Sequence, residues 1–292
     1  MPFSRARTSP TGYASLLVHT DLSRRNRSVV SAALDMAVRF DARVTGLHVN
    51  EPCYRPPRND SLFPVWDGVN IGPQREADAL DRDAKLQKDF EERASRAGCV
   101  ASDWRYVVGV WARTIARHAV SSDLLIMGQH GRENHFGGYD APAEIALRST
   151  RPILIWPHTG RVSRIGERIV LAWNGSREAI AAMTGALPLL VQAAEVDVVI
   201  INEPAFQLNE DGAFLDENVA LYLARHDVHV QISRLSAGRG DIANVLRSHI
   251  VDSRADLLCM GAYGHSRLRE IALGGTTFEL LRNMPVPTLI AS

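Results

Sequence analysis

The sequence states one order of landmarks twice, and such a repeat folds as two related units. Ser15-Leu-Leu-Val-His-Thr-Asp-Leu-Ser23 answers Arg168-Ile-Val-Leu-Ala-Trp-Asn-Gly-Ser176, and Asn50-Glu51-Pro52 answers Asn202-Glu203-Pro204. Asp123-Leu-Leu-Ile-Met-Gly-Gln-His-Gly131 answers Asp256-Leu-Leu-Cys-Met-Gly-Ala-Tyr-Gly264, and Arg151-Pro-Ile-Leu-Ile155 answers Val286-Pro-Thr-Leu-Ile290. After the third landmark the copies part. The second continues as Gly261-x2-Gly264-x9-Gly274-Gly275-Thr276-Thr277, whereas the first has Ala141-Pro142 where the late glycine would stand.

The chain has 292 residues, enough for two domains of about 145 residues, each with its own core. We place the first over 1–158, with a long proline-rich loop at 52–74, and the second over 165–292. Within each, short β-rich runs alternate with amphipathic segments, which is the pattern of a parallel sheet wrapped in helices. Strands are expected near Leu16–Thr20, Val44–Val49, Asp103–Val108, Leu124–Met127 and Ile153–Ile155. The second set is Ile169–Trp173, Val196–Ile201, Val228–Leu235, Leu257–Met260 and Thr288–Ala291. Glu76 to Ala97 reads as a charged helix burying Leu80, Ala84, Phe90 and Ala94. Ser176 or Asn174 can cap a helix whose apolar positions are Ala179, Ile180, Met183, Ala186 and Leu187, with Pro188 as a kink or an early end.

Each fifth strand starts just after a proline, Pro152 or Pro287, as an edge strand tolerates. An open edge invites pairing, and the equivalent strand of the other copy is the natural partner. The expectation is a pseudo-twofold dimer within one chain: two doubly wound five-stranded parallel sheets, each ordered 3-2-1-4-5.

Charge is balanced, with 33 Lys plus Arg against 33 Asp plus Glu. A chain that coats nucleic acid or anionic membrane carries a basic excess, so neither partner is expected. No apolar run approaches the ~18 residues of a membrane span, and the first ten residues lack the apolar core of a secretory signal. Cys53, Cys99 and Cys259 are odd in number and far apart, against a disulfide framework or zinc spacing. The expected compartment is the cytoplasm.

A doubly wound sheet opens its ligand crevice beyond the carboxyl ends of the strands where strand order reverses. In the second copy those ends carry Trp173-Asn174-Gly175-Ser176 and Gly261-Ala-Tyr-Gly264. Gly274-Gly275-Thr276-Thr277 opens the final helix, so backbone N–H groups and the positive helix end face the same crevice. Glycine there permits close backbone approach.

That constellation resembles the universal stress protein family, in its tandem members, over nearly the whole chain from about Ser15. The family's nucleotide signature is Gly-x2-Gly-x9-Gly-[Ser/Thr], with an acidic residue just beyond the first strand. The resemblance implies a nucleotide α-hydrolase-like fold. It implies a stress-response regulator or sensor that holds ATP weakly in its second domain, with Mg²⁺ accompanying it. By the same resemblance Asn174, Ile201, Gly261, Gly264, Gly274, Gly275, Thr276 and Thr277 line the site, Ile201 touching the adenine. The family contains members that hold ATP and members that do not. This copy departs twice, with Gly275 for the Ser/Thr and Asn174 for the acid. In the first copy Asp21, Gly128 and Gly131 fit, but Pro142 removes an N–H donor.

The alternative is a scaffold or interaction protein with both crevices degenerate. A third reading, a pyrophosphatase or nucleotidyl transferase on a related fold, lacks the general acid/base or metal carboxylate it needs. No catalytic residue and no metal ligand set is assigned, and at most a slow ATPase is expected. His226-x2-His229 lacks further metal ligands. His130, His135 and Gly137-Gly138 belong to a variable loop of the first copy. Trp173 at a strand end is a packing residue or a base-stacking one.

Overall fold

Ten apolar β-rich runs become ten strands of one sheet, in a computed structural model that describes residues 12–51, 73–129, 141–158, 164–202, 215–238, 241–262 and 275–292. The first half runs β1 (Ser15–Thr20), α1 (Asn26–Phe40), β2 (Arg43–Asn50), α2 (Pro73–Ala97), β3 (Ser102–Val108), α3 (Trp111–Ala119), β4 (Leu124–Gly128), α4 (Ala141–Arg148) and β5 (Ile153–Trp156). The second repeats it as β6 (Arg168–Ala172), α5 (Arg177–Leu190), β7 (Glu195–Ile201), α6 (Leu215–Ala224), β8 (Val230–Leu235), α7 (Ile242–Asp252), β9 (Leu257–Gly261), α8 (Gly275–Arg282) and β10 (Thr288–Ala291).

Strand order is β3-β2-β1-β4-β5-β10-β9-β6-β7-β8, so each half reads 3-2-1-4-5 from its outer edge to the centre. All pairs within a half are parallel. The fifth strands meet antiparallel, Ile153 facing Ile290 and Ile155 facing Thr288, so each covers the other's edge as expected from the two prolines. Both strands are buried throughout.

Alternation along the strands divides the interior into two layers. Leu16, Val18, Leu171 and Val198 face α1, α2, α5 and α6, while Leu17, Leu47, Val170 and Val199 face α3, α4, α7 and α8. Cys259 is fully buried in the first layer, where burial pushes its thiol well above the ordinary range, so it serves as a small core residue.

Several local expectations are corrected. In α2 the inward stripe is Ala79, Asp83, Leu86, Phe90 and Ala94, whereas Leu80 and Ala84 face solvent. A charged residue sits on the inner face because Asp83 accepts from His48 Nδ1 (2.9 Å) and Trp104 Nε1 (3.1 Å), and buried charge is tolerated when so paired. Pro73 and Gln74 belong to this helix rather than to the preceding loop, since proline suits a first turn; loop residues 52–72 lie outside the described residues. Ile180 is exposed, because the buried stripe of α5 is Ala179, Ala182, Met183, Ala186, Leu189 and Leu190. Pro188 lies inside α5, which ends at Leu190. The sixth strand stops at Ala172, and β8 begins at Val230 rather than Val228.

Candidate functional site

The crevice of the second half lies where β6 and β9, adjacent in the sheet, send their chains to opposite layers. Just past β6, Asn174 Oδ1 accepts the N–H of Ser176 (3.1 Å), an Asx turn. Ser176 then caps α5, its hydroxyl accepting from Ala179 N (3.1 Å). The first half builds the same turn with Asp21, which accepts from Ser23 N (2.8 Å). Asn174 and Asp21 therefore occupy one structural position, with one oxygen spent on the turn.

Gly261 ends β9 against this helix start. A Cβ there would lie 2.6 Å from Ala179 N and 2.7 Å from Glu178 C, so only glycine lets α5 reach the strand end. Gly128 is its equivalent in the first half, yet a Cβ there would meet only Val29 Cγ2 at 3.5 Å. Gly275 is the first residue of α8, so its N–H is among the helix's unpaired donors. Thr277 is buried and Thr276 half-buried on the same first turn. Ile201 ends β7 and is half-buried. Gly264 and Gly274 lie outside the described residues, as do Gly131, His130, His135, Gly137 and Gly138.

The two crevices differ in a way the motif does not reveal. In the first, Trp111 opens α3 and donates Nε1–H to His19 Nε2 (2.9 Å), with the rings edge-on at 5.2 Å. Both are buried, at 6% and 3% exposure, and Val49 beside them is buried too. At the equivalent places the second half has Ala172, Ile242 and Ile201, all half-buried. A tryptophan and a histidine thus pack together at the strand ends of the first half, where the second half carries small or aliphatic side chains. Pro142 stands in the first turn of α4, where a helix tolerates it but loses an N–H donor. Trp173 is buried against the core, and its Nε1 has no partner among the described residues.

Two polar clamps escaped motif reasoning. Asn202, at φ 55°, donates Nδ2 to Ala237 O (2.9 Å) and accepts from Ala237 N (2.7 Å), pinning the β8–α7 connection to the end of β7. Its signal was the repeated Asn-Glu-Pro. Gln129, buried just after β4, donates Nε2 to Leu281 O (2.6 Å) and Arg282 O (3.1 Å) in the last turn of α8. Its Oε1 accepts from His158 N (3.0 Å) and Nδ1 (2.5 Å), so the proton of that imidazole sits on Nδ1. Nothing in the sequence around Gln129 marks that contact. Gln129→Ala should cost about 1–2 kcal/mol and speed amide exchange in the last turn of α8, read by denaturant unfolding and hydrogen exchange.

The family model for the universal stress protein family matches residues 12–138 and again 167–292. The chain belongs to the universal stress protein family. A universal stress protein from Archaeoglobus fulgidus superposes with a TM-score of 0.73 at 15% identity, over 95% of this chain and 96% of that one. A protein of unknown function from Pseudomonas aeruginosa gives 0.61 at 16% identity, over 96% and 93%. These likenesses establish a tandem fold. A universal stress protein of Synechocystis is 50% identical over 38 residues, and that match spans 13% of either chain. Among the described residues no helix is long and apolar enough to cross a membrane, and no three His, Cys, Asp or Glu cluster as metal ligands.

Proposed function

We propose that the second domain of this universal stress protein holds an adenine nucleotide weakly and that the protein acts as a nucleotide-responsive regulator in the cytoplasm. The observation that carries this is the contrast between the two halves, with bulky His19 and Trp111 buried at the strand ends of one and the smaller, partly exposed Ala172, Ile242 and Ile201 at those of the other. The N-termini of α5 and α8 follow strands β6 and β9, so their free N–H groups suit phosphate. Asn174 replaces the carboxylate that would help hold Mg²⁺, and Gly275 supplies only its N–H. Both departures weaken binding, and with no acid–base pair at Asn174 or Gly261 a slow ATPase is the most this crevice supports.

A second reading, a scaffold without nucleotide, is favoured by Gly261 and Asn174, whose packing and turn have purely structural uses. Denaturing the purified protein and resolving the supernatant by anion exchange separates the two. Adenine nucleotide approaching one equivalent supports the first, and its absence, with no binding of added ATP, leaves the scaffold.

A further inference from the structure

Pseudo-symmetry makes Tyr13 and Gly166 equivalents. Asp123 Oδ2 accepts the N–H groups of Ala14 (2.7 Å) and Ser15 (2.9 Å), and Asp256 likewise accepts those of Gly166 (2.7 Å), Glu167 and Arg168, so both strand starts share one register. The buried faces of α1 and α5 also coincide, Val29, Val30, Ala33 and Met36 with Ala182, Met183, Ala186 and Leu189. That alignment pairs Ala32 with Gly185. On one side of the axis Tyr13 reaches across the domain boundary. Its ring stands edge-on to Phe40 at 5.0 Å, and its hydroxyl donates to Gly185 O at 2.7 Å. On the other side residue 166 has no side chain and a φ of 82°.

There a cavity of about 500 Å³ opens between the domains. Ala32, Met36 and Trp156 line its apolar part, and Arg39, held by Gln192 Oε1 (2.5 Å) and Ile165 O (3.0 Å), forms a wall. The guanidinium Nη1 lies 3.5 Å from where a Cβ on Gly166 would stand. Sites for small molecules favour domain boundaries and volumes of about 300–1,000 Å³.

We propose that this cavity binds a small phenol-bearing aromatic compound in the place that the Tyr13 side chain takes across the axis. The ring packs on Met36 and Trp156 and over the Arg39 guanidinium, which attracts an aromatic face. The hydroxyl donates to the Ala32 carbonyl, whose second lone pair is available beside the helical bond, as that of Gly185 is to Tyr13. Asp35, exposed in the same lining and with no partner among the described residues, offers a counter-charge to a cationic substituent on the phenol.

The test uses the full chain, with tyramine as the probe and phenethylamine, which lacks the hydroxyl, as its control. Calorimetry should show one tyramine site, with phenethylamine about tenfold weaker for the loss of one hydrogen bond. The Met36 methyl resonance should shift on tyramine addition. Tyr13→Ala vacates the equivalent space and should raise the tyramine stoichiometry from one to two. Wild-type protein that ignores tyramine up to about 10 mM, a range covering affinities that weak, overturns the proposal. Binding that leaves Met36 unshifted, or equal affinity for phenethylamine, does so as well. These readouts need only the wild-type chain, so they decide the matter even if Tyr13→Ala does not fold.

Discussion

Gly261→Ala should lower the melting temperature by about 6–12 °C, whereas Gly128→Ala, at the equivalent position, should leave it unchanged or raise it slightly. The new Cβ at 261 would stand 2.6–2.9 Å from Ala179 N, Glu178 C and Glu178 Cβ. Two of these three atoms are backbone, so relief requires moving the start of α5 off the sheet. Overpacking of that kind costs about 3 kcal/mol. At 128 the nearest atom is the Val29 methyl at 3.5 Å, an ordinary contact, and alanine removes some of glycine's chain entropy. Thermal unfolding of the two single variants checks the pair. Equal shifts would mean that α5 yields freely, and the glycine would then have no packing role.

The same pair shows how far the sequence could be read. Both glycines end an identical Met-Gly step, and motif reasoning assigns them one purpose; only the third dimension reveals that α5 leans on one and not on the other. The five strands of each half and the pairing of β5 with β10 were legible, the first from periodicity and repetition and the second from the two prolines, while the antiparallel sense of that pair is seen only in the fold. The inner face of α2 was not, since Asp83 looks like a solvent residue until His48 and Trp104 arrive from other strands. The buried His19–Trp111 pair of the first half was hidden for a similar reason. His19 and Trp111 are 92 residues apart and form a pair only through the fold. Pro142, in the first turn of α4, marks the same half by a different route, through a lost N–H donor. Of the expected site, Asn174, Ile201, Gly261 and Gly275 fall at the ends of β6, β7 and β9 and the start of α8, as the doubly wound pattern requires.

Gly275→Ser should strengthen ATP binding by roughly ten- to a hundredfold, the worth of about 1.5–3 kcal/mol for a hydroxyl bonded to a charged phosphate. The position favours the change, because Gly275 opens α8 and serine is at home at a helix start. Asn174→Asp should help only with Mg²⁺ present. The Asx turn to Ser176 needs one oxygen, as Asp21 demonstrates with Ser23, so the aspartate retains the turn and frees its second oxygen for the metal. Without Mg²⁺ that carboxylate brings negative charge towards the phosphates and should weaken binding. Titration calorimetry of both variants, with and without Mg²⁺, distinguishes these outcomes. An affinity gain from Gly275→Ser alone would place the defect in the missing hydroxyl, and a Mg²⁺-dependent gain from Asn174→Asp would place it in the missing acid. If neither variant binds better than the parent, the crevice between β6 and β9 does not serve ATP, and the scaffold reading replaces it.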